Sequence, residues 1–174
     1  SGEDGDSAPR IVELGAGTGL SGLMIAKATR SEVVVTDLPE LQGLLGDNVR
    51  RNFGTGGDVS DEKLATTADG ARGTVSSCVL RWGVEDDYGE VPYDVVVGAD
   101  IVTSLYDPVA LARTVHALSG PKTRVYISGK LRLDRPHEEF DVEMHRLFER
   151  VERMQPCSRL KSPNVFIIYA EGKR

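Results

Sequence analysis

Short apolar segments alternate with amphipathic ones along the first third of the chain. The first, Ile11 to Leu14, contains β-branched residues and ends at a cluster of glycines; the segment from Leu20 to Thr29 then carries apolar residues at helical spacing. Val33 to Val35 predicts a second strand that ends at Asp37, and Pro39 to Val49 predicts a second helix. Apolar strands separated by helices of this length indicate a parallel sheet covered on both faces.

The alternation continues after residue 73 and closes with a pair of strands. Further strands are predicted at Thr74 to Leu80, Tyr93 to Val97, Arg124 to Ser128 and Asn164 to Ala170. Only a short turn around Ser162 and Pro163 precedes the last strand, so we expect that strand to pair antiparallel with its neighbour. This succession predicts a Rossmann-like α/β domain that ends in a β-hairpin.

Two more helices are predicted between these strands. Asp107 suits the N-cap of the first, with Pro108 at its first helical position, and Gly120 and Pro121 should end it. The second helix is predicted from apolar residues that share one helical face. They are Phe140, Met144, Leu147, Phe148 and Val151.

The length of 174 residues suits one domain with its own core. We expect residues 10–174 to form that domain, with residues 54–73, rich in Gly, Asp, Thr and Ala, as a flexible insertion loop. Residues 1–9 are polar and acidic and lack the apolar run of a signal peptide. We therefore interpret them as a disordered or expression-derived tail.

Charge and composition restrict the partners and the compartment. The formal net charge is −6, which argues against tight, sequence-independent binding to nucleic acid and suits a basic protein partner better. No apolar run approaches the roughly 18 residues of a membrane span. We expect a monomer in a reducing compartment, the cytoplasm, with the nucleus as an alternative.

Neither the cysteines nor the histidines indicate a metal site. Cys78 and Cys157 lie far apart and form no CxxC pair. His116, His137 and His145 show no spacing typical of metal ligands, and we interpret them as surface residues.

The glycine cluster after the first strand is the strongest candidate for a ligand site. Gly15, Gly17 and Gly19 follow a G-x-G-x-G spacing, whereas dinucleotide-binding loops follow G-x-G-x-x-G and would need a glycine at Leu20. Glycines let a ligand approach the main chain closely, and free N–H groups there attract a carboxylate. The spacing therefore favours S-adenosylmethionine, whose amino-acid end would pass the loop, over a nicotinamide dinucleotide. Glu13 would orient the loop or help to receive the ammonium group.

Three residues at predicted strand ends are further candidates. Asp37 lies 20 residues beyond Gly17, where an acid accepts hydrogen bonds from ribose hydroxyls; its alternative role is a helix N-cap. Trp82, the only tryptophan, would flank adenine, and a core position is its alternative. Asp100 would face the sulfonium or orient the incoming nucleophile, and ordering of its own loop is the alternative.

These residues lie in four stretches that resemble the seven-β-strand (class I) S-adenosylmethionine-dependent protein-lysine methyltransferases, in the methyltransferase-like group related to the Hsp70 and valosin-containing-protein lysine methyltransferases. The stretches are Ile11-Val-Glu-Leu-Gly-Ala-Gly-Thr-Gly-Leu20, Val35-Thr-Asp-Leu38, Leu80-Arg-Trp82 and Tyr93-Asp-Val-Val-Val-Gly-Ala-Asp-Ile101. Most class I methyltransferases share the first stretch. The combination of Trp82 with Gly98-Ala99-Asp100 makes the resemblance specific to the protein-lysine methyltransferases.

The resemblance implies a seven-stranded sheet with helices on both faces, the cofactor S-adenosyl-L-methionine, and methylation of lysine side chains of a protein. It places the glycine loop at the methionine portion of the cofactor, Asp37 at the ribose, Trp82 at the adenine, and Ala99 in the pocket. The predicted cofactor-binding residues are Glu13, Gly15, Ala16, Gly17, Gly19, Asp37, Leu38, Trp82 and Ala99.

The catalytic residues are predicted from the family's D-x-x-Y signature. Asp100 matches its first residue, whereas Thr103 stands in place of the tyrosine. Either Tyr106, three residues later, substitutes for it, or the substrate site differs from that of the family. The predicted catalytic residues are Asp100 and Tyr106. The family also has a segment before the first strand that helps to close the site, and we expect its contribution to be missing here.

Two alternatives to a protein-lysine methyltransferase stay open. The first is a methyltransferase that acts on a small molecule or another side chain, and the substitution at Thr103 motivates it. The second is a catalytically silent scaffold that keeps the fold and binds the cofactor.

Overall fold

The computed structural model describes residues 7–54, 65–66, 73–130, 136–156 and 164–174. Along these residues the elements are β1 (Arg10–Leu14), α1 (Leu20–Ala28), β2 (Glu32–Asp37), α2 (Gln42–Phe53), β3 (Ala65–Thr66), β4 (Thr74–Val79), β5 (Tyr93–Ala99), α3 (Pro108–Leu118), β6 (Ser119–Lys130), α4 (Pro136–Leu147), β7 (Phe148–Met154) and β8 (Val165–Lys173). Short 3₁₀ turns at Pro39–Leu41 and Glu85–Asp87 precede α2 and β5.

All these strands belong to one sheet, in the order β3-β4-β2-β1-β5-β6-β8-β7. β4, β2, β1, β5 and β6 run parallel to one another, and β8 runs antiparallel to both β6 and β7. The two-residue strand β3 pairs with β4 at one edge. The other strands of the described chain form the predicted seven-stranded, Rossmann-like sheet with its C-terminal antiparallel pair, and this prediction is confirmed.

The strand sequences explain why helices cover both faces of the sheet. Successive side chains of a strand point to opposite faces. Ile11 of β1 packs in the buried cluster that contains residues of α1 and α2, and Val12 packs in the cluster that contains residues of α3 and α4. β1 therefore lies between two apolar layers.

The strand order leaves room for a ligand at the carboxyl ends of β1 and β5. From β1 the chain moves outward to β2 and β4, and it then returns to β5 on the other side of β1. The helices that follow β1 and β5, α1 and α3, pack on opposite faces of the sheet. The loops leading to them diverge, and in open α/β sheets ligands bind in the crevice at such a point.

The predicted last helix extends too far along the chain. α4 ends at Leu147, and Phe148–Met154 forms β7, which pairs with β8 at the sheet edge. Phe148 is buried and Val151 is half-buried, and their three-residue spacing imitates one face of a helix. The charged residues around them suit an exposed edge strand. The conformation of residues 148–154 is therefore determined by pairing with β8 and not by the local pattern of apolar residues.

Two smaller predictions also differ from the structure. β6 begins at Ser119 instead of Arg124, and its register against β5 shifts between Tyr93 and Val95. The prediction that His137 lies at the surface is wrong: the side chain is buried, and its ring meets the ring of Phe166 edge-on with centroids 5.2 Å apart.

The predicted tail and insertion loop fall largely outside the described residues. The description omits residues 1–6, and within 54–73 it covers Gly54, Gly73 and the strand Ala65–Thr66. The predicted turn at Ser162 and Pro163 also lies outside the described residues. In the part of the chain that is described, no helix is both long enough and apolar enough to cross a membrane.

Candidate functional site

A cleft of about 340 Å³ lies at the carboxyl ends of β1, β2 and β4, beside the start of α3. Its volume falls within the roughly 300–1,000 Å³ typical of small-molecule sites. The lining residues are Gly15, Asp37, Leu38, Leu80, Arg81, Trp82, Leu105, Tyr106, Asp107 and Ala110. We call this space the strand-end cleft.

The glycine loop borders this cleft in a conformation that glycine allows. Gly15, Gly17 and Gly19 have φ values of +58°, +58° and +78°, in the left-handed region that other residues rarely adopt. A Cβ added at Gly17 would meet nothing within 4 Å, whereas one at Gly15 would lie 2.8 Å from Ile101 Cγ2. Gly15 therefore permits close packing against Ile101, and Gly17 leaves open space at the surface of the loop.

Asp37 holds the glycine loop in place. Its Oδ2 accepts a hydrogen bond from the Gly17 N–H at 2.7 Å, and its Oδ1 accepts one from the Leu38 N–H at 2.7 Å. An ionised carboxylate offers about four acceptor positions, so acceptor capacity remains for ligand hydroxyls. The side chain therefore orders the glycine loop, a role that the sequence did not predict, and keeps acceptors at the cleft. The alternative role as a helix N-cap is wrong, because Leu38 is the N-cap of the following 3₁₀ turn and no side chain caps it.

Trp82 and Tyr106 form an aromatic corner of the strand-end cleft. Their ring centroids lie 5.2 Å apart at an interplanar angle of 72°, an edge-to-face arrangement. The chain before Trp82 is fixed by Arg81, whose Nε donates to Asp87 Oδ2 at 2.7 Å. The Arg81 side chain lowers the pKa of Asp87 to about 2. The chain after Trp82 is fixed to α3, because the Gly83 N–H donates to Thr114 Oγ1 at 2.8 Å.

Glu13 lies beneath the first turn of α1 and does not line the strand-end cleft. Its Oε2 accepts a hydrogen bond from the Gly22 N–H at 2.8 Å, one of the first N–H groups of a helix, which have no partner within the helix. Burial raises the pKa of the Glu13 carboxyl, and the hydrogen bond from Gly22 opposes part of that rise. Glu13 therefore holds the first turn of α1, which directly follows the glycine loop. Its contact with the ammonium group of a ligand stays a prediction.

Gly22 is a residue that the sequence analysis missed. A Cβ at this position would lie 2.3 Å from Val35 Cγ1 and 2.6 Å from Glu13 Oε2. Gly22 thus allows the close helix–strand packing that the third glycine supplies in dinucleotide-binding loops. A glycine on the apolar face of α1, soon after the loop, was the available signal.

Asp100 marks the end of β5 with an unusual backbone conformation. It is the only non-glycine residue with positive φ in the described chain, at +59°. Its N–H donates to Ser128 O at 2.8 Å, and the residue is exposed. Non-glycine residues in this region are strained and cluster at functional sites. The conformation therefore marks Asp100 as a candidate for a functional role.

Ala99, the residue before Asp100, lines a second cavity of about 220 Å³ beside α1. Glu13 and Ser21 border the same cavity, together with Ser128 at the end of β6. Asp100 itself lines neither this second cavity nor the strand-end cleft.

The structure thus separates the predicted site residues into two groups and leaves Asp100 outside both. The strand-end cleft contains Gly15, Asp37, Leu38, Trp82 and Tyr106, and the backbone of Ala16, Gly17 and Gly19 completes its loop. Glu13 and Ala99 belong to the second cavity. Lining residues of the cleft that were not predicted as site residues are Leu80, Arg81, Leu105, Asp107 and Ala110.

The described residues contain no group of three or more His, Cys, Asp or Glu side chains placed to hold a metal ion. The polar side chains of the cleft are instead those of Asp37, Arg81 and Asp107, among apolar and aromatic side chains. Such a lining suits an organic ligand with a planar apolar part and hydroxyl groups.

Comparison with protein families and curated proteins gives consistent matches. A family model described as lysine methyltransferase matches residues 1–147. EEF1A lysine methyltransferase 3 of Mus musculus is 32% identical over 164 residues, 94% of this chain and 62% of that protein. Protein N-lysine methyltransferase METTL21A of Danio rerio is 33% identical over 140 residues, 80% of this chain and 57% of that protein. The chain therefore spans less than two thirds of the length of these relatives.

Solved structures share the fold at low sequence identity. A TehB-like SAM-dependent methyltransferase from Corynebacterium glutamicum has a TM-score of 0.67 at 16% identity, with 97% of this chain and 83% of that one covered. An O-methyltransferase family protein from Burkholderia thailandensis has a TM-score of 0.70 at 11% identity, with 95% and 51% covered. These likenesses show the class I methyltransferase fold.

Proposed function

The chain belongs to the lysine methyltransferase family, and on that premise we propose that it binds S-adenosylmethionine in the strand-end cleft and methylates lysine side chains of a protein. The observation that carries the proposal is the convergence of the glycine loop, Asp37 and Trp82 on one cleft.

The residues of the cleft fit the parts of this cofactor. The open space at Gly17 gives the amino-acid end room to lie close to the main chain. Asp37 can accept hydrogen bonds from the ribose hydroxyls with its remaining lone pairs. Trp82 and Tyr106, with the apolar Leu38 and Leu80, offer a flat apolar environment for adenine.

Asp100 is the residue that we assign to the acceptor. When bound, the cofactor supplies a methyl group activated by its sulfonium. A lysine amine attacks only in its neutral form, so a carboxylate near it would orient the amine and offset the positive charge that develops on nitrogen. The exposed position of Asp100 at the end of β5 suits that role. Alignment of the amine with the methyl carbon supplies most of the rate enhancement.

A protein acceptor is supported by the names of the relatives and by charge. Several relatives are named as protein-lysine methyltransferases, and two are named for EEF1A. The net charge of −6 favours encounter with a basic protein surface. We take EEF1A as the first acceptor to test.

The substitution at Thr103 supports one second candidate function. The family tyrosine is replaced there, and a different acceptor, such as a small molecule, would accommodate the change. The two candidates share the cofactor and differ only in what receives the methyl group.

Transfer of a labelled methyl group tests the proposal. The purified chain is incubated with methyl-labelled S-adenosylmethionine and either EEF1A or a cell extract, and mass spectrometry locates the label. Label on a lysine, lost in Asp100→Asn and kept in the exposed control Asp47→Asn, supports the proposal. Label only in small molecules supports the second candidate. Cofactor binding without transfer to any acceptor supports a catalytically silent scaffold.

A further inference from the structure

We propose that Tyr106 positions the cofactor, its ring forming with Trp82 an aromatic corner that seats the adenine; the inference rests on the proposed function. It changes the role predicted for Tyr106, which the D-x-x-Y comparison assigned to catalysis at the acceptor.

The location of the Tyr106 ring supports a contact with the adenine of the cofactor. Tyr106 lines the same cleft as Asp37 and Leu38, at the ends of the strands that would hold the nucleoside. Asp100 and Ala99, at the end of β5, do not line that cleft. The tyrosine therefore lies on the nucleoside side of the site, away from the group assigned to the acceptor.

The contact with Trp82 gives the corner its shape. The two rings stand at 72° to each other, with centroids 5.2 Å apart, so the edge of one ring faces the plane of the other. Tyr106 is 47% exposed, and much of its ring surface is available to a ligand. A purine that stacks on one of these rings meets the other at its edge, an arrangement that aromatic groups prefer.

The loop that carries Tyr106 is held at both ends. Asp107, the next residue, caps α3, because its Oδ1 accepts hydrogen bonds from the Val109 N–H at 2.8 Å and the Ala110 N–H at 3.1 Å. At the other end, Thr103 Oγ1 accepts a hydrogen bond from the Leu105 N–H at 3.2 Å. Thr103, which replaces the family tyrosine, therefore helps to hold the backbone of the loop that carries Tyr106.

Fluorescence of Trp82, the only tryptophan, provides a direct test. Binding of S-adenosylhomocysteine is measured by titration for the wild type and for Tyr106→Phe, Tyr106→Leu and Tyr106→Ala. Phe keeps the ring and loses the hydroxyl, so its dissociation constant should stay within about twofold of the wild type. Leu and Ala lose the aromatic ring and should weaken binding by about tenfold. Val142→Ala, an exposed apolar residue on α4, is the control and should bind like the wild type.

The outcomes separate this inference from the proposed function. If Tyr106→Leu and Tyr106→Ala bind S-adenosylhomocysteine as tightly as the wild type does, the inference is overturned and the proposed function is not. A loss in Tyr106→Phe as large as in Tyr106→Ala also overturns it, because the hydroxyl would then be the active part. Absence of binding by the folded wild type overturns the proposed function and the inference together. In turnover with S-adenosylmethionine, Tyr106→Leu should raise the KM for the cofactor about tenfold and leave kcat within about twofold.

Discussion

At the scale of single residues, the cleft depends on side chains that also hold the backbone around it. Asp37 accepts hydrogen bonds from the N–H groups of Gly17 and Leu38, and Glu13 accepts one from Gly22. In both cases a carboxylate from a strand satisfies backbone donors of the glycine loop or of the helix that follows it. The ligand site and the local fold therefore share the same interactions.

Asp37→Asn tests this double function. The amide has one acceptor oxygen in place of two and carries no charge. We therefore expect the free energy of unfolding to fall by about 1–3 kcal/mol and the affinity for S-adenosylhomocysteine to fall by about 10- to 100-fold. Urea unfolding and isothermal titration calorimetry measure the two effects. Asp47→Asn, at an exposed position on α2, should change neither by more than about 0.5 kcal/mol. Wild-type affinity in a folded Asp37→Asn protein contradicts the assignment.

Gly22→Ala tests the packing of α1 on the sheet. Alanine favours a helix, but its Cβ would lie 2.3 Å from Val35 Cγ1, so overpacking should lower the free energy of unfolding by about 1–3 kcal/mol. Gly43→Ala is the matched control, because a Cβ there would meet nothing within 4 Å; this change in α2 should raise the free energy of unfolding by about 0.5–1 kcal/mol. Urea unfolding distinguishes them, and equal stabilisation of both variants contradicts the argument.

At the scale of elements, a charged cluster holds α3 and α4 together on one face of the sheet. Glu143 of α4 accepts hydrogen bonds from Arg146 of the same helix, at 2.7 and 2.9 Å, and from Arg113 of α3, at 3.1 Å. The carboxylate is nearly buried at 11% side-chain exposure. Arg146, and to a smaller extent Arg113, lower the pKa of Glu143 from 4.5 to about 2.

The lowered pKa of Glu143 predicts a loss of stability in acid. The stabilisation is fully present above pH 4.5 and is lost as the pH falls from 4.5 through about 2. Glu143→Gln should lower the free energy of unfolding by about 1–3 kcal/mol at pH 7, and its difference from the wild type should shrink towards pH 2. Denaturant unfolding across this range measures the effect. Glu152→Gln, from an exposed pair with Arg150, should cost less than about 1 kcal/mol; a Glu143→Gln difference independent of pH contradicts the prediction.

At the scale of the whole molecule, the strand-end cleft exists only when the sheet is assembled. Its lining includes Gly15, Asp37, Trp82 and Tyr106, which lie at the ends of four different strands or in the loops after them. The unfolded chain does not bring these residues together, so a ligand of the cleft binds the folded state alone and stabilises it.

S-adenosylhomocysteine should therefore raise the thermal stability of the chain. At a free concentration 100 times its dissociation constant, the gain is about 2.7 kcal/mol, which corresponds to about 5–10 °C in Tm for a domain of this size. Differential scanning calorimetry measures the shift, with NAD at the same concentration as the comparison. A shift with NAD and none with S-adenosylhomocysteine contradicts the cofactor assignment.

Much of this architecture could be predicted because it depends on sequence patterns that extend over only a few residues. An apolar run that ends at a cluster of glycines predicted β1 and its glycine loop. The helical spacing of the apolar residues after the loop predicted α1. The start of α3 at Pro108 was predicted from the N-cap Asp107, whose Oδ1 makes the expected hydrogen bonds. The prediction failed at Phe148, where spacing suited a helix and the chain instead forms the edge strand β7.

The amino-acid sequence by itself determined the order of strands and helices from β1 to α2 and from β4 to α4, the position of the glycine loop and the acids at the strand ends, because each depends on backbone preferences and on periodicity within a few residues. Only the tertiary structure decided which side chains meet. The pairing of β7 with β8, the burial of His137, the packing at Gly22 and the contact of Tyr106 with Trp82 all join segments distant in sequence. Such contacts depend on how strands pair and how helices pack on them, and no local pattern encodes that geometry.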